Sequence, residues 1–256
     1  MDVLINPEVP QNQWSKFKII IGATIVLIVI VGGLILKGGF SSKQPVSTEP
    51  IKIGASLPMT GEAASYGESA FGGSALAIKE INDRGGINGR KVELVVEDDQ
   101  CGPKGGASAM QKLVEVDKVA VVAGPLCSAA GGAGLPIAQN AGVPVIMVGS
   151  APNLTKIGNF IFRNYPSDSF QGKFIAEYIF NTLNKKKVAV VFIKNDWGQG
   201  INDVFVARFK ELGGEVVYDE GVTVDTKDMR TVVTKLKAAN PETIFAPIYP
   251  NNAVAL

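Results

Sequence analysis

Residues 51–97 read IKIGASLPMTGEAASYGESAFGGSALAIKEINDRGGINGRKVELVVE, and this stretch decides the fold. IKIGASL (51–57) and KVELVVE (91–97) are short β-branched runs. The strand-like runs of this chain are mostly apolar on both faces, as strands of a parallel sheet covered on each side would be. Between these two, Phe71, Ala75, Ile78 and Ile81 keep to one helical stripe. The period stops at Gly85 and Gly86, where glycine serves as a C′ residue. Strand, helix and returning strand make the unit of a doubly wound α/β sheet with right-handed crossovers.

The unit repeats to the end of the chain. VAVVAG (119–124), PVIMVG (144–149), FIFRN (160–164), KVAVVFI (187–193), EVVYDEGV (215–222) and TIFAP (243–247) read as strands. VFVARFKELGG (204–214) repeats the glycine-stopped helix. RNYPSDS (163–169), with Pro166 in its middle, is a turn that divides the strands into two sets. The expected architecture is therefore two parallel-sheet lobes, 51–165 and 166–256, with a cleft outside the carboxyl ends of their strands. The last residues, NNAVAL (251–256), read as a first helical turn with no strand to return to. The second lobe is accordingly expected to be incomplete.

The first 50 residues differ in kind. Residues 19–36 (IIIGATIVLIVIVGGLIL) form an uncharged apolar run flanked by Lys16, Lys18 and Lys37. As a helix it would span about 27 Å, close to a hydrocarbon core of about 30 Å. A cleaved signal peptide is the competing reading, but the run is long for one and no A-x-A site follows it. The expectation is a short cytoplasmic tail (1–18), a transmembrane signal anchor (19–36) and a Gly/Ser/Pro-rich linker (37–50). Such a linker would reach on the order of 20 Å from the bilayer. Lysines on both flanks leave the orientation undecided by charge alone.

Composition narrows the chemistry. The formal net charge of +1 gives no footprint for nucleic acid. The chain has no histidine, which removes Ser-His-Asp and Cys-His pairs and histidine zinc sites. No dinucleotide or P-loop spacing occurs, so phosphate cofactors are not expected. Asp98, Asp99, Asp196 and Asp203 read as turn-binding or solvent-facing groups, not acid–base catalysts.

Several residues gather at predicted strand ends. Ser128, in GPLCSAAGGAG, reads as the N-cap of a helix whose free amides suit an anion, and Ser150 projects from the next strand end. A serine that merely caps its own helix is the plainer reading of Ser128. Tyr66, Trp197 and Tyr249 lie on strand-end loops, where aromatics either pack locally or close over an apolar ligand. Cys101 and Cys127 follow the strands 91–97 and 119–124. If those strands are adjacent a disulfide is geometrically reasonable, and it would indicate an oxidising compartment; two buried thiols are the alternative.

Taken in order, PMTGEAASYGES, INDRGGINGRKVELVVEDDQCGPK, GPLCSAAG, GVPVIMVGSAPNLT, FRNYPSDSFQG and KNDWGQG resemble the type I periplasmic binding proteins. The likeness is to the leucine/isoleucine/valine-binding receptors of ABC transporters, and it covers 51–256. It implies that Ser128 and Ser150 bind a ligand α-carboxylate and that the Val148 carbonyl takes the α-ammonium. Tyr66, Tyr249 and Trp197, the last where tyrosine is common, would line the side-chain pocket. Cys101 and Cys127 match the family's disulfide pair. The acidic residue that holds the ammonium in the family would lie beyond Leu256.

The expected function is that of a non-enzymatic extracytoplasmic receptor without cofactor or metal. It would bind a branched-chain or other small amino acid by hinge closure and deliver it to an ABC permease. A membrane-tethered sensor for an amide, a urea or an aromatic carboxylate is the alternative.

Overall fold

The structure, a computed structural model, describes residues 48–256. The expected tail, membrane span and most of the linker lie outside these residues. Among the described residues no helix is long and apolar enough to cross a membrane.

The first sheet is built from β1 (Ile51–Leu57), α1 (Ala64–Asp83), β2 (Val92–Asp98), α2 (Pro103–Gln111), β3 (Val121–Ala123), α3 (Ser128–Ala141), β4 (Val145–Met147) and β5 (Ile161–Arg163). Its order is β2-β1-β3-β4-β5, and every pairing is parallel. A π turn, Lys112–Val116, extends α2. The second sheet follows through α4 (Asp168–Glu177), β6 (Lys187–Ile193), α5 (Asp196–Glu211), β7 (Glu215–Val222), α6 (Arg230–Ala239), β8 (Thr243–Phe245) and α7 (Pro250–Ala255). Its order is β7-β6-β8, again all parallel.

The continuous apolar character of KVAVVFI has a direct cause. Val188, Val190 and Phe192 enter one core with Phe205 and Phe209 of α5. Ala189, Val191 and Ile193, on the opposite pleat, enter another with Val222, Val232, Leu236 and Tyr249. A central strand with both faces covered has no polar position to spare. Phe205 and Phe209 are fully buried, each contributing about 1.5–3 kcal/mol of apolar transfer free energy. The core of the first sheet gathers Met110 and Leu113 from α2 and its π turn, Leu135 from α3, and Val122, Val145 and Met147 from the strands.

Three expectations are corrected. Strands β2 and β3 are not adjacent, because β1 lies between them. Phe71, expected on the buried stripe of α1, is 41% exposed, whereas Ala75, Ile78 and Ile81 are half-buried. The first sheet is also not covered on both faces along its whole width. Ile146 and Phe162, register partners on β4 and β5, are 47% and 54% exposed, since α1 packs over β1 and β2.

Candidate functional site

Each sheet reverses its direction of growth at one place. In the first, β1 leads outward to β2, while β3 lies on the other side of β1; in the second, β6 leads to β7 and β8 lies opposite. Loops leaving the two central neighbours diverge there, and the crevice they leave is where open α/β sheets bind ligands. The residues expected at the site arise at these places. Tyr66 begins α1 after β1, Ser128 begins α3 after β3, Trp197 begins α5 after β6, and Tyr249 precedes α7 after β8.

One cavity of about 320 Å³ is lined by Tyr66, Leu126, Cys127, Ser128, Val148, Ser150, Tyr165, Trp197 and Tyr249. All six residues expected to touch ligand are among them. Tyr165, read from sequence only as part of a turn, and Leu126 join the wall. Tyr66 and Tyr165 are 46% and 47% exposed, whereas Tyr249 is 7% exposed. The first two therefore stand where the cavity meets solvent.

Ser128 does not cap its helix. Cys127 is the N-cap residue and Ser128 the first helical one, with no side-chain cap bond. The buried Ser128 hydroxyl instead accepts from the Ala151 amide at 3.1 Å, which ties the start of α3 to the segment after β4. Its own hydrogen stays available for an acceptor in the cavity. The helix supplies no acceptor for the first amides of α3, so a carboxylate placed here would meet N–H groups and a favourable dipole.

The aromatic wall is held from beneath by Asn195. Its Oδ1 caps α5 by accepting from Gly198 N at 2.9 Å, and its Nδ2 donates to Tyr249 Oη at 3.1 Å. One side chain thus fixes both members of the Trp197–Tyr249 stack, whose ring centroids are 5.4 Å apart at 23°. Burial raises the pKa of the Tyr249 phenol, against the Asn195 bond that lowers it.

Cys101 and Cys127 form a disulfide, with Cα atoms 5.2 Å apart. It spans the end of β1, since β2 and β3 flank that strand. The Cys101 sulfur lies 3.3 Å from Tyr249 Oη. A disulfide sulfur has no hydrogen, so the phenol donates. The first sheet's crosslink thereby touches the second sheet's aromatic wall.

The aspartates after β2 shape turns. Asp98 Oδ1 accepts from Met59 N and Gln100 N, both at 2.9 Å; burial raises its carboxyl, but the Thr60 hydroxyl and then these amides outweigh burial and hold it below the usual range. Asp99 is fully buried, and burial raises its pKa. It accepts from Ser56 Oγ and Cys101 N, both at 2.9 Å. Asp203 accepts from Gln199 at 2.7 Å, and Asp196 sits in the first turn of α5. Among the described residues no group of His, Cys, Asp and Glu could hold a metal ion.

Sequence reasoning missed Asp168, which follows Ser167, the N-cap of α4. Its side chain is completely buried, and its amide donates to the Ser150 carbonyl at 3.0 Å. Arg163 Nη1 donates to the carbonyls of Ser150 and Ala151 at 2.9 and 3.0 Å, behind the cavity wall. Burial pushes the Asp168 carboxyl up to about 6, although the Ser150 hydroxyl and the Arg163 guanidinium pull it down. The only sequence signal was PSDS, which reads as an ordinary turn and cap.

Comparison with known proteins gives the family of the chain. Residues 50–256 match the family described as periplasmic binding protein. An amino acid binding protein of Pseudomonas aeruginosa is 38% identical over 216 residues, covering 82% of this chain and 58% of its own length. The Leu/Ile/Val-binding protein of Escherichia coli K12 is 33% identical over 199 residues, covering 77% and 54%. A branched-chain amino acid transporter substrate binding protein of Streptococcus pneumoniae, solved with isoleucine, superposes with a TM-score of 0.75 at 36% identity, covering 80% of this chain and 58% of that one. The chain thus spans little more than half the length of these relatives. The chain belongs to the periplasmic binding protein family, as a type I member alongside the leucine/isoleucine/valine-binding proteins.

Proposed function

We propose that this chain is the substrate-binding component of an ABC transporter and takes a branched-chain or other small amino acid into its interlobe cavity. One observation carries the reading: two serine hydroxyls at strand ends of the first sheet share a single cavity with the stacked Trp197–Tyr249 wall of the second. Ser128, Ser150 and the α3 amides take the α-carboxylate, and the Val148 carbonyl takes the α-ammonium. Tyr66, Trp197 and Tyr249 enclose the side chain. Ligand docks first on the serines, and the second sheet then closes over it as a rigid body. The role is binding and delivery to a permease, without chemistry on the ligand. The disulfide suits an extracytoplasmic location, with the apolar run 19–36 as membrane tether.

A second reading, a receptor for aromatic carboxylates, is favoured by the four aromatic side chains at the cavity. A solute binding protein of Rhodopseudomonas palustris solved with 3,4-dihydroxybenzoic acid is 28% identical, with a TM-score of 0.72. A thermal-shift series with L-leucine, L-isoleucine, L-valine and benzoate separates the two. A ligand at one hundred times its Kd stabilises by about 2.7 kcal/mol, enough to move the melt visibly. Absence of any shift, or an unchanged shift in Ser128→Ala/Ser150→Ala, overturns the assignment.

A further inference from the structure

One carboxylate behind the cavity has no structural partner. Neither side-chain oxygen of Asp168, the first residue of α4, meets a hydrogen-bond partner, and the side chain is wholly buried. Such groups are rare, because an ionised carboxylate leaves its water without compensation. Few groups face it. Arg163, at the end of β5, is the one charged side chain acting on it among the described residues. That guanidinium is already engaged with the carbonyls after β4. The segment after β4 presents the Ser150 hydroxyl, which favours the ionised form without completing a hydrogen bond. Helix α5 meets α4 through Val204 against Gly172, one turn from Asp168, and through the Arg208–Glu177 ion pair at the other end of α4.

Ser150 has one hydroxyl hydrogen. Once a ligand carboxylate enters the cavity, two anions compete for that hydrogen: the ligand on the open side and Asp168 behind. We propose that Asp168 is a positioning residue whose protonation accompanies ligand binding. Its neutral carboxyl donates to Ser150 Oγ, which frees Ser150 to donate to the ligand. This rests on the reading that Ser150 holds the ligand's carboxylate. The proton balance is closed: at neutral pH free Asp168 is ionised, bound Asp168 is the acid, and solution supplies one proton per ligand. Burial already holds the free carboxyl up at about 6, and a second negative charge beside it raises it further. The protonated protein binds better, so affinity falls as pH rises above the free value, by up to about tenfold per pH unit.

The test is calorimetric titration of the 256-residue chain with L-isoleucine, and in parallel benzoate, in phosphate and in Tris at pH 7, and across pH 6 to 8. Expected are proton uptake, read from the difference in heat between the buffers, and a several-fold weaker Kd at pH 8 than at pH 6. Asp168→Asn should show no uptake and a flat profile, and should bind at pH 8 at least as tightly as the parent. Binding by the parent without buffer dependence, release of a proton, or a retained slope in Asp168→Asn overturns the inference while leaving the binding site standing. If Asp168→Asn does not fold, the parent's buffer series decides alone. If neither probe gives heat at any pH, the carboxylate site itself fails and the inference with it.

Discussion

Removing the Cys101–Cys127 disulfide is the perturbation whose magnitude the structure fixes best. The bond closes a loop with a sequence separation of 26. In the chain-entropy treatment a loop of this length restrains the denatured chain by about 3.5 kcal/mol at 25 °C. Against a typical folding stability of about 5–15 kcal/mol, that is a quarter to more than half of the total. In Cys101→Ala/Cys127→Ala the native state also loses the contact of the Cys101 sulfur with Tyr249 Oη. The assay is equilibrium unfolding in urea followed by intrinsic fluorescence, to which Trp197 contributes from its stack on Tyr249. Two signatures are expected together: a lower midpoint, and a steeper denaturant dependence because the uncrosslinked denatured chain exposes more surface. A variant within about 0.5 kcal/mol of the parent and with an unchanged slope refutes the reasoning. It would mean that residual structure already holds the loop closed in the denatured state.

Asp168→Asn should leave stability unchanged at pH 3 and raise it by up to about 3 kcal/mol at pH 7.5. Burial holds the folded carboxyl at about 6 against an ordinary value of 3.8, so its stabilising contribution, full below the ordinary value, is lost as pH rises through about 6. Urea melts at the two pH values check this, and an equal effect at both refutes it. Gly198→Ala would set a Cβ 2.1 Å from the Ile193 carbonyl oxygen, and the start of α5, with Trp197, must move. A loss of about 1–3 kcal/mol in the melt is expected, with weaker binding in the thermal-shift series. Phe209→Ala opens a cavity between Phe205 and Phe180, whose centroids lie 5.5 and 5.9 Å from its ring, and should cost about 3–5 kcal/mol by thermal or urea unfolding.

The second sheet was the most legible part of the chain. KVAVVFI and EVVYDEGV occupy β6 and β7 at the bounds read from sequence, because apolar residues run unbroken from Val188 to Ile193 in the first and Gly213 and Gly214 mark the start of the second. Strand order was not legible. The sequence leaves open whether β2 and β3 are adjacent, and only three-dimensional packing inserts β1 between them. Ser128 was found at the right place with the wrong local role. Residue preference favours serine at an N-cap, but here the cap is Cys127, and the Ser128 hydroxyl answers a tertiary partner, Ala151. The π turns at Lys112–Val116 and Tyr178–Thr182 leave no residue-type signal. Asp168 stayed hidden because burial of a carboxylate is decided by what packs over it, and the local pattern PSDS belongs equally to a surface turn.

The position of the cavity at the reversal points of both sheets also orders events during synthesis. Among the described residues the strands of the first sheet end at Arg163, so Ser128, Val148, Ser150 and both cysteines are made before β6 begins at Lys187. Domains fold largely from the N-terminus as the chain grows. The polar half of the site and its covalent crosslink can therefore mature on a nascent chain that still lacks Trp197 and Tyr249, and the aromatic half is added to a wall already set.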